Sequence, residues 1–184
     1  MRSINMMALL AALALAACWG EARRTGPVDP RVQRSLEGVH LDPAEAAAML
    51  TAWRRSHGLE PVRLDAALSA MAQRQADSMA AANEMSHNVS GSFASRLAAA
   101  GVNASEAGEN LGGGYYATGE AMKGWENSPE HNANLLLPKA TRFGIALAKD
   151  ARTSFRIYWA MEVAAEPARM KEPGLLIGPA DARQ

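Results

Sequence analysis

The sequence predicts an α+β fold in which helices pack on a short antiparallel sheet. Three observations carry this. Behind capping residues, apolar side chains recur at three- and four-residue spacing through residues 42–127. The period then switches to two over residues 143–163, and Gly or Pro punctuates the changes between segments. The 184 residues suffice for one domain of ordinary size, and no internal repeat divides them.

At the N-terminus, Arg2 gives a short positive region and residues 6–17 form an apolar run too short to span a bilayer. Leu15-Ala16-Ala17-Cys18 follows at once, so residues 1–18 read as an export signal with the look of a bacterial lipobox. In such a box Cys18 is the acylated residue and the first of the mature chain. Cys18 is the only cysteine, which excludes an intramolecular disulfide and leaves stability to the core. Residues 19–41 hold Gly26, Pro27, Pro30 and four arginines with little apolar periodicity, and read as a tether.

Asp42-Pro43-Ala44-Glu45 is a capping-box opening, after which Ala46, Leu50 and Trp53 share a face until His57 and Gly58. Asp65 caps a second helix with Leu68, Met71, Ala72, Gln75 and Met79 on one side, its methionines filling the core. Residues 92–100 form a short third helix ended by Gly101, and residues 118–127 a fourth with Met122 and Trp125 inward. Ser128 reads as an N-cap, Pro129 as the first residue of a new turn and His131 as a first-turn residue aimed outward.

Phe143, Ile145 and Leu147 alternate with small residues, and Phe155, Ile157, Trp159, Met161 and Val163 alternate after a four-residue loop. That is an antiparallel hairpin, and the small residues of its first strand let a helix approach closely. Residues 166–184 read as a tail whose Leu175-Leu176-Ile177 patch can dock on the domain.

The order Met85-Ser86-His87, Gly108-Glu109-Asn110 and Trp125-Glu126-Asn127-Ser128-Pro129-Glu130-His131, with Tyr158-Trp159 beyond, resembles the CAP superfamily of cysteine-rich secretory, antigen five and pathogenesis-related proteins, in its bacterial SCP-like form. The resemblance covers residues 57–159 and sets the domain at 42–165. It implies a three-layer α/β/α sandwich, with His87, Glu109 and His131 around one cleft and Asn110 supporting the Glu109 loop. Two imidazoles and a carboxylate suit zinc with an open position, and equally suit a metal-free polar cluster. Many eukaryotic members of the superfamily carry a glutamate where this chain has Ser128, so the fourth member of the implied tetrad is unassigned. Glu130 and Asn132 stand where bacterial relatives commonly carry Gly and Arg, which makes the rim more acidic.

The run Gly112-Gly113-Gly114 before Tyr115-Tyr116 lacks the Gly-Lys-Ser/Thr of a phosphate loop. It reads as a flexible turn or as a mobile rim whose tyrosines stack on a ligand. Two Asn-x-Ser sequons, at Asn88 and Asn103, are chance matches behind a bacterial lipobox. Formal net charge is zero, with 19 basic and 19 acidic residues, against the basic patch that nucleic-acid binding requires. These features favour an exported envelope lipoprotein, membrane-anchored through Cys18, that binds a glycan, peptide or lipid. A metal-dependent hydrolase and a purely structural surface protein are the alternatives.

Overall fold

The structure, a computed structural model, describes residues 24–167. The export signal, Cys18 and the Leu175-Leu176-Ile177 patch lie outside the described residues. Among those described, six helices and four strands follow in the order α1 (Pro30–Glu37), α2 (Pro43–Ser56), β1 (Arg63–Leu64), α3 (Ala66–Ala82), α4 (Phe93–Ala99), β2 (Ala107–Gly113), α5 (Thr118–Glu126), α6 (Pro129–Leu135), β3 (Ala140–Lys149) and β4 (Ile157–Ala165). No described helix is long and apolar enough to cross a membrane.

The capping residues set the helix starts as the sequence predicts. Asp42 accepts from the amides of Ala44 (2.8 Å) and Glu45 (3.3 Å), and Asp65 from those of Ala67 (2.9 Å) and Leu68 (3.0 Å). Helix α3 ends on Asn83, which adopts the left-handed conformation at φ 55°.

The sheet runs β1-β3-β4-β2. Its β3–β4 and β4–β2 pairs are antiparallel, while the two-residue β1 is parallel to β3, so the sheet is mixed. Alternation along β4 sorts the core. Ile157, Trp159, Met161 and Val163 face α2, α5 and α6, whereas Tyr158, Ala160 and Ala164 face α3 and α4. A helical layer on each face makes the three-layer α/β/α sandwich. Gly144 lets α3 lie against β3, because a Cβ there would overlap the backbone of Leu68 and Ser69.

Three sequence readings change. Residues 30–37 of the expected tether form α1, and Leu36 and Val39 are buried in the main core. Lys149 donates from Nζ to the carbonyls of Leu36 (2.8 Å) and Val39 (2.9 Å), tying down the end of that helix. The first two glycines of the expected turn lie in β2, where close side chains need them: a Cβ on Gly112 would meet the Tyr115 ring, and one on Gly113 would meet Met85 and Phe155. Only Gly114 turns the chain, at φ +76°. The hairpin loop spans residues 150–156 rather than four residues, and Phe155 sits in it, exposed.

Candidate functional site

The site forms on β2, the edge strand at the β4 side of the sheet. Neighbouring residues of a strand point to opposite faces. Glu109 therefore projects into the α3/α4 layer and Asn110 into the α6 layer.

On the first face, Glu109 is almost fully buried and both its oxygens are taken. Arg96 of α4 grips it with two parallel bonds, Nη1 to Oε2 at 2.6 Å and Nη2 to Oε1 at 2.8 Å. Nδ1 of His87 lies 2.7 Å from Oε1. A carboxylate gripped in this way can only accept, so Nδ1 is the donor in this bond. The side chain of His87 is 56% exposed against 3% for Glu109, so the imidazole carries the buried cluster out to solvent. Arg96 also donates to the carbonyls of His87 (3.0 Å) and Gly91 (3.3 Å), fixing the loop after α3.

Glu162 pairs directly with Glu109 across β2 and β4 and is completely buried. Its oxygens make no hydrogen bond of sound geometry, and Oε1 lies 3.7 Å from Nη1 of Arg96. Burial, with the negative charge of Glu109 beside it, pushes Glu162 up to about 9 against the pull of Arg96. It is a neutral acid at physiological pH. One guanidinium thus serves one carboxylate, and the second carboxyl keeps its proton.

On the other face, α6 is fastened to the Glu109-Asn110 step. Asn134 donates from Nδ2 to the Glu109 carbonyl (3.0 Å) and to Oδ1 of Asn110 (2.9 Å). Asn110 donates in turn to the carbonyl of His131 (3.0 Å). Helix α2 braces the same segment: Nε1 of Trp53 donates to Oδ1 of Asn132 (2.8 Å), and the buried Arg54 donates to the carbonyls of Leu135 (2.8 Å) and Leu137 (3.0 Å). Ser128 occupies the N-cap position without capping, because its hydroxyl lies 2.8 Å from Nδ1 of His131. Burial, and then the charge of His87, hold the His131 imidazole below the ordinary histidine range, while Glu130 pulls the other way.

The structure therefore joins His87 directly to Glu109, and Asn110 directly to His131. Among the described residues the His131 ring is bonded to Ser128, not to Glu109 or His87. No three His, Cys, Asp or Glu side chains among the described residues come together to hold a metal. The three-donor zinc set does not fit as the residues stand, since a cation would have to displace the Arg96 guanidinium from Glu109.

Arg96 and Glu162 escaped the sequence reading. Each left a faint signal. Arg96 is the lone charge in the Ala-rich helix Phe93-Ala94-Ser95-Arg96-Leu97-Ala98-Ala99, and Glu162 is the lone charge in a strand with apolar residues on both faces.

Comparison with known proteins matches residues 48–163 to the profile of the CAP, or cysteine-rich secretory protein, family. The uncharacterized protein YkwD of Bacillus subtilis (strain 168) is 31% identical over 99 residues, which are 53% of this chain and 38% of that protein, so the chain spans under two fifths of that relative. A crystal structure of an extracellular SCP-domain protein from Bacillus anthracis superposes with a TM-score of 0.59 at 22% identity, over 77% of this chain and 45% of that one. An outer surface protein from Borrelia burgdorferi gives the same TM-score of 0.59 at 19% identity, over 69% of this chain and 98% of that one. At these identities the two structures share the fold. With the profile matched across most of the sandwich and both histidine segments, the chain belongs to the cysteine-rich secretory protein (CAP) family.

Proposed function

We propose that the protein is an exported, lipid-anchored binding module of the bacterial cell envelope, which takes a glycan, peptide or lipid ligand at the cleft flanked by His87 and His131. Export and anchoring are supported by the Leu15-Ala16-Ala17-Cys18 box and by the extracellular or outer-surface origin of the two structures that share the fold. The observation that carries the binding reading is the Arg96 grip on Glu109. It removes the site's acidic group from duty as a base or a metal ligand and uses it to hold His87 in place. Ser128 and His131 are in contact, yet among the described residues no carboxylate orients the far nitrogen of that ring, so the pair lacks the third member of a nucleophilic triad. What the site presents is two rings with hydrogen-bonding edges, on a rigid support.

The test is to screen the purified full-length chain, with and without added zinc, against glycan, peptide and lipid panels for both retention and turnover. Saturable retention of one ligand class is expected, lost in His87→Ala and His131→Ala while both stay folded by circular dichroism. Steady zinc-dependent hydrolysis by the wild type, lost in both variants, would replace this reading with a metallohydrolase.

A further inference from the structure

Away from that cleft, a cavity of about 280 Å³ opens between the segment preceding α1 and the β3–β4 turn. Three arginines line it: Arg24 from the segment, and Arg152 and Arg156 from the turn. The backbone amide of Arg24 donates to the carbonyl of Arg152 (2.9 Å), so segment and turn are joined into one wall. The lining carboxylate, Asp29, is already engaged by Arg31 through its amide (2.8 Å) and Nη2 (3.0 Å). Asp29 also feels the charge of Arg156, so this one lining carboxylate is shared between Arg31 and Arg156, and the three lining arginines outnumber it.

Arg156 is the unusual residue. Its backbone is left-handed at φ 64°, a conformation that L side chains other than Asn and Asp rarely adopt. It is held there by its amide donating to Oγ1 of Thr153 (3.1 Å) and by its carbonyl accepting from the Asp150 amide (2.8 Å). Its Nε is buried and has no hydrogen-bond partner. An unanswered buried guanidinium N–H is costly, and it is answered well by a tetrahedral oxyanion, whose oxygens match the guanidinium fork. A second cavity, of about 260 Å³, is lined by two arginines rather than three, Arg74 and Arg96, and Arg96 is already neutralised by Glu109.

We propose that the Arg24/Arg152/Arg156 cavity is a binding site for a phosphate group. The phosphate of an anionic lipid headgroup and a soluble phosphate share this chemistry. The headgroup source alone rests on the anchor reading: Arg24 is six residues past Cys18, a reach of at most about 20 Å, so an acylated chain holds the cavity close to the bilayer.

The test titrates inorganic phosphate into the full-length chain in a non-ionic detergent and follows the arginine Nε–H resonances by NMR. The Arg156 signal should shift saturably. Arg156→Asn, which tolerates the left-handed backbone, and Arg152→Ser, at an exposed position, should each weaken binding about tenfold, the worth of one charge-assisted hydrogen bond. Arg55→Ser, on the exposed face of α2, should leave it unchanged. A second arm uses the Cys18→Ser chain and compares phosphatidylcholine vesicles with vesicles containing phosphatidylglycerol. A preference for the anionic vesicles that Arg152→Ser abolishes assigns the site to a headgroup; phosphate binding without vesicle preference assigns it to a soluble phosphate. No saturable shift, or an equal loss in Arg55→Ser, overturns the proposal.

Discussion

Replacing Arg96 with Leu tests the central claim about the site, that a buried guanidinium holds Glu109 in place. The variant removes bonds of 2.6 and 2.8 Å to the carboxylate and donors to the carbonyls of His87 and Gly91. It leaves Glu109, 3% exposed, as a buried charge beside a second carboxyl. Breaking a buried pair from one side costs about 3–5 kcal/mol. For a chain of this length each kcal/mol lowers Tm by about 2–4 °C, so the drop should be roughly 6–20 °C. Urea unfolding followed by tryptophan fluorescence gives the free energy and shows whether the m-value holds. The double variant Arg96→Leu/Glu109→Gln removes the stranded charge and should recover about 1–3 kcal/mol relative to the sum of the single variants. A single-variant cost below about 1 kcal/mol, or strict additivity in the double variant, would refute the grip as a stabilising element.

Three further outcomes are expected. Glu162 is raised in the folded state from 4.5 to about 9, so its contribution is fully present below pH 4.5 and is lost as pH rises toward 9, by up to tenfold in the folding equilibrium per pH unit. Glu162→Gln should flatten that alkaline decline in urea midpoints, and an unchanged slope would show that the acid is ionised in the fold. His131 is lowered in the folded state, so its contribution is present above the ordinary histidine value of 6.5 and is lost as pH falls below it; NMR titration should place its midpoint under 6.5, and His131→Gln should soften the acid limb of stability. Gly144→Ala sets a methyl against the backbone of α3 and should destabilise by about 3 kcal/mol, the upper part of the range for overpacking, as read by thermal unfolding.

The parts of the fold governed by local chemistry were legible in the sequence. Asp42 and Asp65 satisfy orphan amides two and three residues ahead of themselves, so helix starts could be read from a few neighbours. Strand β2 was hidden because Gly108, Gly112 and Gly113 carry no strand propensity. Their presence answers to side chains elsewhere, Asn134 at Gly108 and Tyr115, Met85 and Phe155 at the other two. Helix α1 was hidden for the related reason that Val32, Leu36 and Val39 are few, and their value lies in the cores they meet. In the site, motif order pointed to His87, Glu109, Asn110 and His131. What Glu109 does depends on Arg96, thirteen residues earlier on another element, and on a β2–β4 pairing that sets Glu162 opposite it. Neither is expressed in local spacing.

Glu109 and Asn110 act as adjacent rivets driven in opposite directions through the edge of the sheet, one fastening α4 and the other α6. Which rivet goes which way is decided by how β2 lies against β4, and a one-residue slip would exchange them. Arg96 would then meet an amide, and the carbonyl of His131 would face a carboxylate with no N–H to offer it. A single-residue deletion within β2 should therefore unfasten α4 and α6 from the sheet edge while both histidines remain in the sequence.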